Sequence, residues 1–272
     1  MKSFQENHKL GAVLSVVGIL VGLLALYLIA VTYMPTVEGK ILDGRPDEAI
    51  TVRIVHAFMG WIGMTGGALW AVVLYGFINR KKWAWGWGVV ASTLQILSGF
   101  FPMIPPASIG MATPTLWVFL AAFLLWFGML FIGGVNNKII ALAFAGGLAY
   151  VMVFIDGVGA ISRYQTSQQS FPIGMYAVGQ MVNWWAAAAW AVFIYALVTG
   201  KTWTLPVGIF ASSLAVFGGL PVGLTDVVLL GRFSMFLPGP VLSAVLLVVL
   251  LLPGTKNLIR TWIDAQTPAV EA

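Results

Sequence analysis

The chain has 272 residues, of which 60% are hydrophobic and only 8% are charged. A soluble domain of this length has no way to bury so much apolar surface, so the main solvent is lipid. The lack of cysteine excludes disulfides, iron–sulfur clusters and thiolate metal sites, and a net charge of +5 spread over the loops is no nucleic-acid footprint.

The first apolar stretch, residues 11–34, is too long for the core of a signal peptide and lacks a convincing cleavage site, so it reads as a retained helix. A hydrophilic stretch, residues 35–50, follows with Glu38, Asp43, Asp47 and Glu48 against Lys40 and Arg45. It reads as a solvated outer connector; a docking surface for a basic electron donor or a partner subunit is the sharper alternative. Further spans fit at 53–78, 83–104, 113–135, 138–161, 173–199, 203–223 and 234–253. The stretch 203–223 is the weakest, because Pro206, Gly218, Gly219 and Pro221 interrupt it. Residues 256–272 make a short cytoplasmic tail, frayed after Asp264. The prediction is an all-α, polytopic transmembrane bundle of about eight spans, one integral membrane domain over 1–272. Its basic residues alternate sides. Lys2, Lys9, Arg80, Lys81, Lys82, Lys138, Lys201, Lys256 and Arg260 share one face, and Lys40, Arg45, Arg53, Arg163 and Arg232 share the other. That places both termini in the cytoplasm of an inner-membrane protein.

His56 is the only histidine in an apolar stretch. An imidazole can ligate a haem iron, and Arg53, three residues earlier on one helix face, can pair with a propionate. The plain alternative is an interfacial histidine bonded to a neighbouring helix, with Arg53 reaching to lipid phosphate. Asp156, before Gly157 and Gly159, is a candidate for proton relay or ion binding, or else marks a helix end. Asp226 and Arg232 are expected to pair with each other or with water. Gln95, Gln180 and Asn183 are expected to bond between helices. Asn183-Trp184-Trp185 reads as an aromatic pair beside a smooth seam of four alanines, Ala186 to Ala189. No P-loop, H-E-x-x-H or G-x-S-x-G motif is present.

Taken in order, several segments resemble the large subunit of the haem–copper oxidase superfamily, closest to C-type cytochrome c oxidases and nitric oxide reductases. They are Val21 to Leu26, Arg53-x-x-His56, Gly66 to Leu69 with Tyr75, Trp85-Gly86-Trp87, Met181 to Trp185 and Pro221 to Leu224. The resemblance implies that His56 is a haem axial ligand and that the chain matches the first two-thirds of that subunit. It also implies that the copper-ligand positions fall on Ala188, Val222 and Gly223, which cannot bind copper. Those three side chains should then converge on one small apolar region, with His56 facing inward.

The resulting expectation is an oxidase-like membrane subunit of a respiratory assembly, not catalytic alone. It would hold one haem b through His56 or none, and no copper. Its partners would be lipid, other membrane subunits, and cytochrome or copper-protein electron donors. The alternatives are a transporter or channel, with broken segments near Pro221 and Pro238 joining Asp156 and Asp226 in a site, and a structural scaffold or assembly subunit. An inverted repeat between the halves would favour the transporter, and none is visible.

Overall fold

The computed structural model describes residues 7–266, and its regular elements are all helical. Lys2 and the last part of the expected tail lie outside the described residues. The chain divides into two compact units, residues 1–135 and 136–272.

The first unit comprises α1 (His8–Leu42), α2 (Pro46–Ile78), α3 (Ala84–Phe100), α4 (Ile104–Ala107) and α5 (Leu116–Ile132), with a 3-10 turn, Phe101–Met103, between α3 and α4. The helices close a ring: α1 packs on α2, α2 on α3, α3 on α5, and α5 back on α1. Small residues let the backbones approach, which is how helices associate where lipid removes the hydrophobic drive. A methyl on Gly22 would lie 2.6 Å from the Gly67 Cα, and one on Gly99 would lie 2.7 Å from the Phe119 Cα. At the centre, Trp70 Nε1 donates to Gln95 Oε1 at 2.9 Å, and Gln95 Nε2 donates to the Gly18 carbonyl at 2.8 Å. One amide thus ties three helices.

The outer connector expected at 35–50 is almost wholly helix. The chain turns only between Leu42 and Pro46, because the charges there satisfy one another. Lys40 Nζ donates to Glu48 and, at 2.7 Å, to Ser108 Oγ. Arg45 pairs with Asp43 and donates to the Ser108 carbonyl at 3.0 Å. These charges hold the helix ends and the turn after α4 together.

The second unit comprises α6 (Asn137–Thr166), α7 (Ser170–Val198), α8 (Thr204–Leu230), α9 (Pro238–Leu251) and α10 (Pro253–Gln266). Here α6 packs on α7, α7 on α8, α8 on α9, and α9 back on α6. The interruption expected within 203–223 does not occur: α8 runs unbroken through Pro221. Neighbouring helices let a membrane helix tolerate proline, and the two glycines serve as contact points. A methyl on Gly219 would lie 2.8 Å from Pro240 Cγ. The break falls instead between α9 and α10, which bend by 73° at Pro253. The expected cytoplasmic tail is therefore a docked helix as far as Gln266. It buries Ile259 and Trp262, and Trp262 Nε1 donates to the Leu197 carbonyl at 2.8 Å.

Among the described residues, six helical stretches are long and apolar enough to cross a bilayer: His8–Leu42, Pro46–Ile78, Ala84–Ala107, Asn137–Thr166, Ser170–Val198 and Thr204–Leu230. Leu116–Ile132 is apolar but has only 17 residues, and the bent pair α9–α10 makes up to a seventh.

The two units share residues at one spacing, and some of them make the same contacts. Trp70, Ala71, Val72, Tyr75, Lys81, Trp83, Gly88, Ala91 and Ser92 reappear at one constant separation as Trp190, Ala191, Val192, Tyr195, Lys201, Trp203, Gly208, Ala211 and Ser212. The geometry repeats with them. Lys81 N–H donates to the Gly76 carbonyl, and Lys201 N–H to the Ala196 carbonyl, both at 2.8 Å. Ser92 Oγ donates to the Gly88 carbonyl and Ser212 Oγ to the Gly208 carbonyl, at 2.8 and 2.7 Å. Both turns contain a left-handed residue, Arg80 at φ 53° and Gly200 at φ 63°. The repeat is direct, not the inverted one that would favour a transporter.

Candidate functional site

In the first unit the interior polar groups are bonded. Gln95 serves Trp70 and Gly18, and Ser98 Oγ donates to the Met59 carbonyl at 2.8 Å. Thr115 Oγ1 is an exception, and so is His56. Its ring has no exposed surface, and neither nitrogen has a partner. Arg53 does not share that environment; its side chain is exposed, while its carbonyl accepts from Tyr33 Oη at 2.9 Å. The i, i+3 spacing therefore splits between inside and outside. Imidazole chemistry suits an iron, but zero exposure means that not even a water-sized void touches the ring. The adjacent turns are closed as well. A methyl on Gly63 would lie 3.0 Å from Ala25 Cβ, and Gly60 faces Ile29. A porphyrin does not fit beside His56 unless the helices separate.

The three positions assigned to lost copper ligands do not converge. Ala188 is exposed on α7. Val222 is buried against Gly179, and Gly223 faces Leu237, where a methyl would lie 2.6 Å from Cδ2.

The second unit is different, because several interior polar atoms of α6 and α7 lack partners. Asp156 is only 3% exposed, and its Oδ2 has no hydrogen bond. It stands mid-helix rather than at a helix end, since α6 continues for ten more residues to Thr166, about 15 Å. Its carboxyl meets the first turn of α9, where a methyl on Gly239 would collide with Oδ2. On α7, Asn183 is fully buried with both side-chain atoms unpartnered, and Gln180 Oε1 and Trp184 Nε1 are also unpartnered. The interhelical bonds expected of Gln180 Oε1 and Asn183 are thus not made. The aromatic pair is not one either: Trp184 stacks on Phe154 at 6.2 Å, while Trp185 is 72% exposed.

These groups lie at one level of the ring. A methyl on Gly157 would lie 2.6 Å from Trp184 Nε1, one on Gly218 would lie 3.1 Å from Asn183 Oδ1, Gly219 meets Pro240, and Gly239 meets Asp156. Each of the four helices supplies glycine or a polar side chain to this layer.

A second polar layer lies about 10 Å nearer the end of the unit, seven residues along α6. Arg163 Nε forms an ion pair with Asp226 Oδ1 at 3.0 Å, and Tyr176 Oη donates to the same oxygen at 3.3 Å. Asp226 is 3% exposed. Its ion-pair partner is therefore Arg163, not Arg232. Between the two layers sit Ala160, Tyr176, Val222 and Phe236, a buried cluster.

The repeat explains what sequence reading missed. Gln95 corresponds to Ala215, so Trp190 Nε1 is left without a partner. Gly63 and Ser98 correspond to Asn183 and Gly218, a large-for-small exchange across the same contact. Comparing the halves in the same direction would have singled out Asn183 as the polar newcomer.

Fold and site together define a multi-pass helical membrane protein with a buried carboxylate and amide layer in its second unit. Compared with protein-family models, curated proteins and solved structures, the chain matches none.

Proposed function

We propose that this chain is a proton-handling membrane protein of the transporter or channel class, with Asp156 as the group that carries the proton. The observation behind this reading is a carboxyl group inside an apolar helix ring, with an oxygen that no protein group satisfies. An intramembrane carboxylate is costly and points to transport or relay. Asn183 is fully buried, which leaves no space for a hydrated cation beside it, whereas a proton needs no cavity. Release of one proton from the carboxyl leaves a carboxylate, and the N–H groups of Asn183 and Trp184 in the same layer are the donors available to stabilise it. In this reading α5 and the bent α9 also cross, giving eight crossings. The lysine-rich turns with both termini face the cytoplasm, as the positive-inside rule requires. Other membrane subunits of a respiratory assembly are its proposed partners, a placement that rests on the sequence resemblance.

The test is proton flux into liposomes containing the purified full-length protein, driven by a potassium diffusion potential and read with an entrapped pH dye. The wild type should exceed empty liposomes, and Asp156→Asn should abolish the excess. Equal flux in wild type and Asp156→Asn would overturn the reading.

A further inference from the structure

We infer that protons reach Asp156 from the end of the unit where Asp226 lies, and that Ala160, Tyr176, Val222 and Phe236 form the gate between the two carboxylates. This rests on the proposed role of Asp156 and adds its route and its control.

Among the described residues the two acids are the interior carboxylates of the second unit, and both are 3% exposed. Ala160, Tyr176 and Val222 between them have no exposed surface, and Phe236 has 8%. Their fit is tight. Val222 presses on Gly179, and a methyl on Gly159 would lie 3.0 Å from Phe236 Cζ. Protons cross hydrocarbon along water, and a dry apolar constriction closes such a path. As packed, the layer holds no room for one.

One side of the gate is built to move. Phe236 belongs to the non-helical segment between Leu230 and Pro238, so its ring can turn without displacing a helix. It lies against Tyr176 at 6.4 Å. Tyr176 has two faces: its ring forms the wall, and its hydroxyl donates to Asp226. A proton arriving from water enters at this end, beside Asp226 and Arg163. Once Phe236 swings aside, water admitted to the layer passes that proton to the Asp156 carboxylate. One proton moves, and no electron does.

The test uses the full-length protein in liposomes and exploits the absence of natural cysteine. The Ala160→Cys thiol should react slowly with a membrane-impermeant thiosulfonate, and at least about fivefold faster when Phe236→Ala is added. Phe236→Ala should also speed proton flux, and Asp156→Asn should abolish that gain. Faster labelling with no proton flux in any variant would retain the gate and overturn the role of Asp156. Unchanged labelling would overturn the gate, whatever the flux. Should Phe236→Ala fail to fold, Val222→Ser gives the same readings, because it wets the opposite wall.

Discussion

Trp70 and Trp190 occupy matching places, and both are fully buried, but only Trp70 has an acceptor for its indole N–H. Replacing each by Phe removes similar apolar volume and differs in that bond. Trp70→Phe should therefore destabilise more than Trp190→Phe, by about 0.5–1.5 kcal/mol, measured by thermal or denaturant unfolding in detergent. Equal losses would mean that the Gln95 bridge contributes nothing. His56 gives a second test at this scale. With no void beside the ring, the purified protein should show a flat reduced-minus-oxidised visible spectrum. A sharp α-band lost in His56→Ala would show that the helices part around a porphyrin. The burial of His56 follows from its helical register. That it would be sealed, with Arg53 turned outward, was hidden in the sequence, because spacing fixes angular position and not what packs there.

At the scale of elements, hydropathy locates each apolar stretch well, since lipid demands long apolar helices wherever the chain crosses. It misjudges where they end. Charged residues past Tyr33 look like a loop, yet they continue α1 because Lys40 and Glu48 neutralise each other across the turn. For the same reason Asp156 looks terminal and is internal: α6 extends past Arg163, whose charge meets Asp226, to Thr166. Prolines and glycines in 203–223 look like breaks, but they are contacts. Arg80 shows the opposite case, a side chain where the backbone favours glycine. It is the only non-glycine with positive φ among the described residues. Arg80→Gly should stabilise the protein by about 0.5–1 kcal/mol, because it relieves left-handed strain at the place where the other unit has Gly200. A lower unfolding temperature would show that the arginine side chain contributes more than its backbone costs. Gly239→Ala should have the reverse effect. Its methyl collides with Asp156 Oδ2, and Pro240 is already wedged against Gly219. The expected results are a loss of about 1–3 kcal/mol and proton flux close to that of empty liposomes. Unaltered flux would mean that the α9 first turn does not fix the carboxyl.

For the whole molecule, the question is why one unit bonds Trp70, Gln95 and Ser98 at its centre while the other leaves Trp190 and Asn183 without partners. The two units share one helical packing order and differ at matching positions. Gln95 and Ser98 satisfy the first unit, whereas Ala215 and Gly218 open the matching places in the second and Asn183 enters. An unbonded polar group in a buried interior costs stability, so its presence at Trp190 and Asn183, but not at the matching Trp70 and Gly63, points to a division of labour: the first unit stabilises and the second carries the polar layer. The two kinds of substitution should then separate. Gln95→Ala takes two hydrogen bonds and a packed side chain from the first unit, and should lower stability by about 2–3 kcal/mol. Flux per folded molecule should be unchanged, since no residue of the proton layer is touched. Asp156→Asn keeps the shape of the side chain and removes the ionisable group, so flux should vanish while the unfolding temperature holds or rises. Unfolding and liposome flux measured on the same two preparations decide the matter. If Gln95→Ala abolished flux in a protein still folded, the first unit would belong to the transport machinery, and the division drawn from the paired tryptophans would fail.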